Sequence, residues 1–318
     1  MNILVTGGSG FIGQNLISEL LKDRHKVVIY DKRKSDVYPE FCTVGDIRDQ
    51  KKLTKAMVGI DAVYHLAAEH YDNVQPASLY YDVNVGGAEN LVFAAKQNDV
   101  KKVIFTSSVA VYGFNAGEPD ENSSIKPFND YGKSKYEAEV VFDNWAKGES
   151  SACLVIVRPT VIFGEGNRGN VYNLVKQIAS KRFIMVGDGK NKKSMGYVLN
   201  LVRLLIKLLH SSSGRYVYNF ADKPDLDMNE FIKITLRFLG NEKQKKIHIP
   251  YPIGLFGGIT FDLLSKVTKR KYSISAIRIK KFCANTVVNA ERLNETGFIA
   301  PYQLIEGINR MVSKEFSE

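Results

Sequence analysis

Tyr131 and Lys135 are the residues of this chain best suited to moving a proton. They lie in Asn129-Asp130-Tyr131-Gly132-Lys133-Ser134-Lys135, where Asn129 or Asp130 can cap a helix that continues to Lys147. Positions i and i+4 share one helical face. A phenol titrates near about pH 10 and is a poor base at neutrality. An ammonium held beside it favours the phenolate, which turns the pair into a usable acid–base device. Tyr-x-x-x-Lys also occurs on ordinary surface helices, so its neighbours decide its meaning. Val103-Ile104-Phe105-Thr106-Ser107 reads as a strand ending in hydroxyls. Ser107 and Ser108 could bond a substrate oxygen there, or simply bond their own loop.

The element that must position these groups opens the chain. Asn2 to Thr6 is a buried-strand pattern, Gly7-Gly8-Ser9-Gly10-Phe11-Ile12-Gly13 a glycine turn, and Leu16, Ile17, Leu20 and Leu21 have helical spacing. Strand, glycine turn and helix leave backbone N–H groups free at a helix N-terminus, where a pyrophosphate can sit. Gly7 allows the tight turn, Gly10 the approach of phosphates and Gly13 the packing of helix on strand. The spacing G-x-x-G-x-x-G differs from the commoner G-x-G-x-x-G. His25 to Tyr30 is a second apolar run closed by Asp31, whose carboxylate suits the ribose hydroxyls of NAD and repels a 2′-phosphate. Lys32 and Arg33 follow and could instead welcome NADP; the reading favours NAD.

Further along, Ala62 to Leu66 and Leu154 to Val157 read as strands, and Gly86 to Gln97 and Tyr131 to Lys147 as helices. This alternation predicts an α/β fold, a doubly wound parallel sheet of Rossmann type. Ligands then sit beyond the carboxyl ends of the strands. After Gly164 the pattern loosens. Asn170 to Ser180 and Leu199 to His210 look helical and Arg215 to Phe220 looks like a strand. Residues 1–164 are thus expected to form the dinucleotide-binding domain, with later returns to its sheet, and residues 165–318 mainly a smaller C-terminal substrate-binding lobe.

At 318 residues, 44% apolar and 25% charged, the chain has a soluble globular composition. Cys42, Cys153 and Cys283 are odd in number and follow no metal spacing, which predicts a reducing compartment, no disulfide framework and no metal site. A strand beginning at residue 2 leaves no room for a signal peptide, and no apolar run is long enough to span a bilayer. The net charge of +10 is concentrated: Gly240 to Phe282 carries ten Lys or Arg against Glu242 and Asp262, a net +8. That segment is a solvated basic face or a surface for phosphate or anionic lipid. Nucleic acid ranks last, because no nucleic-acid motif accompanies the charge. Ile253 to Leu264 is apolar but short; it is either a buried core helix or an interfacial element beside Lys266, Lys269, Arg270 and Lys271.

Taken together, TGGSGFIG, Asp31, Gly45-Asp46-Ile47, His65-Leu66-Ala67-Ala68, Ser107-Ser108 through Tyr112-Gly113, Tyr131-Gly132-Lys133-Ser134-Lys135 and Arg158-Pro159-Thr160 resemble the extended short-chain dehydrogenase/reductase family of NAD-dependent epimerases and dehydratases. The resemblance runs almost end to end. It implies NAD contacts at Gly7, Gly10, Phe11, Ile12, Gly13, Asp31, Lys32, Asp46, Ile47, Leu66, Ala67, Ala68, Asn84, Tyr131, Lys135 and Pro159. It also implies a catalytic Ser108, Tyr131 and Lys135. Dehydratases of the family carry an Asp-Glu pair where this chain has Val109-Ala110, which favours epimerisation over loss of water.

Details such as His65 to His70, Ser78 to Val85, Gly169 to Leu174, Lys193 to Val198 and Tyr251-Pro252-Ile253-Gly254 resemble the family's bacterial epimerases that act on a sugar linked to a polyprenyl diphosphate. That implies inversion at C4 of an N-acetylglucosaminyl unit by transient oxidation and hydride return, for surface polysaccharide. Substrate contacts are then expected at Ser108, Val109, Asn173, Lys193, Arg278 and Thr286. The chain is expected at the inner face of the bacterial cell membrane, peripheral and cytoplasmic, against anionic lipid. A homodimer is one assembly open to it. A soluble UDP-sugar 4-epimerase, a net reductase and a non-catalytic NAD-binding sensor remain as alternatives.

Overall fold

The computed structural model describes residues 1–71, 74–114, 116–244, 247–268 and 275–316. Strands β1 (Asn2–Thr6), β2 (Lys26–Asp31), β3 (Cys42–Val44), β4 (Ala62–His65), β5 (Lys102–Thr106) and β6 (Cys153–Pro159) alternate with helices α1 (Phe11–Lys22), α2 (Gln50–Ala56), α3 (Ser78–Gln97) and α4 (Asp130–Lys147). The second half adds β7 (Val161–Phe163), α5 (Asn170–Ala179), β8 (Ile184–Val186), β9 (Lys192–Tyr197), α6 (Val198–Leu208) and β10 (Gly214–Phe220). Then follow β11 (Asp222–Asp227), α7 (Met228–Phe238), β12 (Ile247–Ile249), α8 (Tyr251–Thr268), α9 (Ala276–Cys283) and α10 (Leu304–Phe316).

Seven strands form one sheet in the order β10-β6-β5-β4-β1-β2-β3. Every pair in it is parallel, from Asn2 beside Lys26 to Phe220 beside Pro159. The strand order reverses between β1 and β4, the topological switch point where a dinucleotide binds in such folds. Continuous apolar strands are buried on both faces. Leu53, Leu91, Phe142 and Trp145 cover one face, from α2, α3 and α4. Leu16, Ile17, Leu20, Leu201 and Leu205 cover the other, from α1 and α6. The C-terminal half therefore returns to the sheet twice, through β10 and through α6. Two smaller sheets, β11-β9-β7 and β12-β8, lie outside it.

Two elements differ from the sequence reading. α3 begins at Ser78, eight residues before Gly86, because Tyr80 and Asn84 are buried although their stretch lacks a clean apolar stripe. Ile253 to Leu264 is not a buried core helix. It belongs to α8, whose Gly254 and Gly258 face inward. A Cβ on Gly254 would meet Val186 Cγ1 at 2.4 Å, and one on Gly258 would meet the Ala276 nitrogen at 2.8 Å. Large apolar side chains take the opposite side: Ile253 is 61% exposed, Phe256 73%, Leu263 59% and Val267 84%. At 100° per residue these four fall within about a third of the helix circumference. Among the charges of the basic segment, Lys245, Lys246, Lys269, Arg270 and Lys271 lie outside the described residues. No helix among the described residues is long and apolar enough to cross a membrane.

Candidate active site

The carboxyl ends of β1, β2, β4, β5 and β6 bring the sequence-predicted residues to one edge of the sheet. Gly7 has φ +71°, and a Cβ there would lie 2.6 Å from the Ala67 nitrogen, so the glycine turn and Leu66-Ala67-Ala68 run side by side. Gly13 packs as expected, since a Cβ would meet the Gly8 Cα at 2.6 Å. Gly10 is the N-cap of α1 and its end carries no side-chain cap among the described residues. The first-turn N–H groups of Phe11, Ile12 and Gly13 can therefore receive a phosphate. Asp31 is buried at the end of β2; its Oδ2 accepts from the Ser9 N–H and its Oδ1 from the Arg33 N–H, both at 3.0 Å. Each oxygen keeps a lone pair for a ribose hydroxyl. Lys32 beside it is exposed.

Asp46 is tied to Arg48 at 2.7 Å, which holds its carboxyl below the usual range. Ile47 is buried under Gly87, and Pro159 is buried at the end of β6. Ser107 Oγ is buried at this same edge without a partner among the described residues. An uncapped helix end, a glycine turn with no room for a side chain and a seated carboxylate are what a dinucleotide needs, and the residues fit NAD.

Asn84 joins two of these elements. Its Oδ1 accepts from the Glu69 N–H at 2.8 Å, and its amide donates to the Glu69 carbonyl at 3.1 Å and to Ser134 Oγ at 2.9 Å. Ser134 in turn donates to the Tyr131 carbonyl at 2.9 Å. Asn84 thus ties the loop after β4 to the helix that carries the tyrosine.

Asn129 caps α4 by accepting from the Gly132 N–H at 2.9 Å, and this starts the helix at the point that aims Tyr131 inward. Ser108 caps the 3-10 turn Val109–Tyr112, where its hydroxyl accepts from the Ala110 N–H at 3.1 Å. The two come close: burial pushes the Tyr131 phenol up, and the neighbouring Ser108 hydroxyl pulls it partly back.

Lys135, on the same helix face one turn along, holds its Nζ 4.2 Å from the Phe105 ring centroid; burial brings the ammonium down to about 7, opposed by the Glu139 carboxylate. Glu139 is itself buried in a bidentate pair with Arg158, at 3.0 and 2.6 Å. Arg158 also donates to the Tyr112 hydroxyl at 2.7 Å, which donates to Asn219 Oδ1 at 2.8 Å. The sequence reading did not anticipate this buried chain. Its signal was Glu139 one helical turn beyond Lys135. His65, stacked on Phe105, bonds Thr6 Oγ1 through Nδ1 at 2.7 Å; burial drives it down to about 3, so it stays neutral.

A cleft of about 260 Å³ opens on Tyr131, with Tyr80, Phe128, Ile277, Arg278 and Lys281 among its walls. Arg278, expected from the sequence as a substrate contact, is one of these walls. Lys193 sits on β9; its ammonium donates to the Lys281 carbonyl at 2.9 Å and the Ala284 carbonyl at 2.6 Å. Burial brings it down to about 8. Two of its three donors are used, leaving one for a phosphate oxygen. Thr286 bridges to Lys193 through backbone pairing. Val109 opens the 3-10 turn beside Ser108. Asn173 is exposed on α5, its amide bonded to the Arg168 carbonyl at 3.3 Å, and it lines neither this cleft nor the larger cavity beyond it. No group of three or more metal-ligating side chains occurs among the described residues.

Residues 3–221 match the model of the NAD dependent epimerase/dehydratase family, and the chain belongs to that family. It is 50% identical over 317 residues to the N-acetyl-alpha-D-glucosaminyl-diphospho-ditrans,octacis-undecaprenol 4-epimerase of Escherichia coli O157:H7, covering 99% of this chain and 95% of that one. It is 32% identical over 245 residues to a UDP-glucose 4-epimerase of Vibrio cholerae, covering 73% and 74%. Among solved structures, MoeE5 in complex with UDP-glucuronic acid and NAD shares the fold with a TM-score of 0.79 at 24% identity, over 99% of this chain and 98% of that one. The chain is an NAD-dependent sugar epimerase of this family.

Proposed function

We propose that this protein inverts C4 of an N-acetylglucosaminyl group carried on undecaprenyl diphosphate, giving the N-acetylgalactosaminyl form for a surface polysaccharide such as O-antigen. The observation that carries the reading is the 50% identity, over nearly the whole chain, to an enzyme whose name states that substrate. The convergence of Ser108 and Tyr131 at the carboxyl edge of the sheet, where the Ser108 hydroxyl lowers the phenol against its burial, supports the chemistry.

NAD bound at the sheet edge supplies the hydride acceptor and donor for C4. Tyr131 takes the C4 hydroxyl proton and later returns one to the same oxygen. Ser108 bonds that oxygen, keeping it within reach of the phenol in both directions. Lys135 holds positive charge beneath the tyrosine and reaches the nicotinamide ribose. Val109-Ala110 provide no acid for eliminating water, so the 4-keto sugar turns over in the cleft and is reduced from its other face. Arg278 and Lys193 hold the diphosphate, while Asn173, expected there from the sequence, lies outside both spaces, and Thr286 borders the 2-acetamido group.

An undecaprenyl chain does not leave the bilayer, so the enzyme works at the inner membrane surface. The exposed apolar stripe of α8 supports this, with the exposed Lys243 and Lys280 on neighbouring segments. Apolar residues enter the headgroup boundary while the cations meet anionic lipid. The 32% identity to a UDP-glucose 4-epimerase favours a second reading, the same chemistry on a soluble nucleotide sugar. Equal amounts of N-acetylglucosaminyl-diphospho-undecaprenol and UDP-GlcNAc, offered together to purified protein, decide between them. Galacto product confined to the lipid-linked pool is expected; product mainly in the UDP pool overturns the proposal.

A further inference from the structure

Beyond the Tyr131 cleft lies a larger cavity of about 940 Å³, in the size range that buries a drug-sized ligand. It is bounded by the β8–β12 pair on one side and by α8 and α9 on another. We propose that this cavity binds the first isoprene units of a polyprenyl diphosphate, and that the chain leaves it over Tyr251 onto the exposed face of α8. The proposal rests on the lipid-linked reading of the function.

Three observations carry it. The first is continuity with the chemistry. Phe128 lines the Tyr131 cleft and Phe114 lines the larger cavity, and their ring centroids are 4.0 Å apart. α9 borders both spaces, giving Arg278 and Lys281 to the cleft and Lys280 to the cavity. Three cations therefore stand where a diphosphate would bridge the sugar on one side and the lipid on the other.

The second is the character of the walls. Phe114, Val186, Ile249, Pro250 and Tyr251 are apolar or mostly so. Part of the polar lining is already engaged within the protein, while His248 and Lys280 also stand on the wall. The Asn191 amide donates to the Phe282 carbonyl at 2.8 Å, the Gly187 N–H to the Ile249 carbonyl at 2.9 Å, and the Cys283 thiol to the Val186 carbonyl at 3.3 Å. Asp188 accepts from the Lys190 N–H and, through its carbonyl, from Asn229. A nucleobase needs unsatisfied donors and acceptors to be recognised, whereas an isoprenoid needs only apolar surface to be removed from water.

The third is the exit. Tyr251 lines the cavity and is also the first residue of α8. Ile253, Phe256, Leu263 and Val267 form an exposed apolar stripe on the other side of that helix. Val186, which lines the cavity, packs against the inward side at Gly254. A chain leaving the cavity over Tyr251 therefore rounds the N-terminal end of α8 to reach the surface that the bilayer would meet.

Isothermal titration of the NAD-loaded protein tests this, using farnesyl diphosphate below its micelle concentration and inorganic diphosphate as probes. Farnesyl diphosphate is expected to bind at least about tenfold tighter, since each buried methylene adds affinity. Ile249→Asp and Tyr251→Asp, each placing a charge on the cavity wall, are expected to remove that gain while inorganic diphosphate still binds. Tyr251 is partly exposed at a helix start, so its variant folds even if the strand variant does not. Equal affinity for the two probes, or a gain that survives both substitutions, overturns the proposal. The functional reading is judged on sugar turnover, a separate readout, so the two failures are told apart.

Discussion

Gly132 packs so tightly against Ala110 that a Cβ on it would lie 2.5 Å from the Ala110 carbonyl oxygen. This contact presses the first turn of α4 onto the 3-10 turn that begins beside Ser108, and it brings Tyr131 to the serine's side of the site. Gly132→Ala must push the two turns apart. Overpacking of this kind costs about 1–3 kcal/mol of stability. Because proton transfer needs the reacting oxygens in register, kcat is expected to fall about 100-fold while bound NAD is retained. Thermal melting, nucleotide content and turnover measured on one preparation check the three parts.

Glu139 links Lys135 to the buried Arg158. Its carboxylate holds the Lys135 ammonium higher than burial alone would, against a value near 7. Glu139→Gln removes that support, so the lysine pKa falls further. If the cationic form is the active one, kcat is lost as pH rises through the lysine pKa, and the variant's limb lies at lower pH than the wild type's. The substitution also leaves Arg158 buried without its ion partner, which costs about 3–5 kcal/mol of stability. A kcat–pH profile beside a urea melt checks both, and an unmoved limb contradicts the coupling.

Asp31 is seated by the Ser9 and Arg33 N–H groups at the place for a ribose edge. Asp31→Asn keeps the shape and removes the charge that repels a 2′-phosphate. The wild type is expected to release NAD alone on denaturation, and the variant to accept NADP as well, as chromatography of the released nucleotide would show.

The α8 stripe predicts how the protein meets lipid. Phe256 and Val267 are exposed, at 73% and 84%, so replacing them with Asp leaves the core untouched. Phe256→Asp and Val267→Asp are expected to reduce flotation with anionic vesicles and to leave melting unchanged. Raising the salt is expected to weaken wild-type flotation, because exposed charges are screened within about 8 Å at physiological ionic strength. Equal flotation of wild type and variants removes the stripe from the interface.

The sheet was legible because its strands are short continuous apolar runs between glycine and hydroxyl punctuation, as from Asn2 to Gly13. The glycine roles followed from backbone geometry alone and reappear at Gly7 and Gly13. Two things were not legible. The exposed face of α8 reverses the usual pattern, with Gly254 and Gly258 inward and large apolar side chains outward, and periodicity cannot say which side of a helix meets water. The Glu139–Arg158–Tyr112–Asn219 chain joins residues far apart in sequence, and only packing reveals it.

The most direct measurement uses N-acetylglucosaminyl-diphospho-undecaprenol carrying deuterium on C4, incubated with the protein in ordinary water and hydrolysed. The account predicts N-acetylgalactosamine with the deuterium still on C4, and none formed by Tyr131→Phe. Product whose C4 hydrogen comes from water, or labelled product formed by Tyr131→Phe at the wild-type rate, would contradict it.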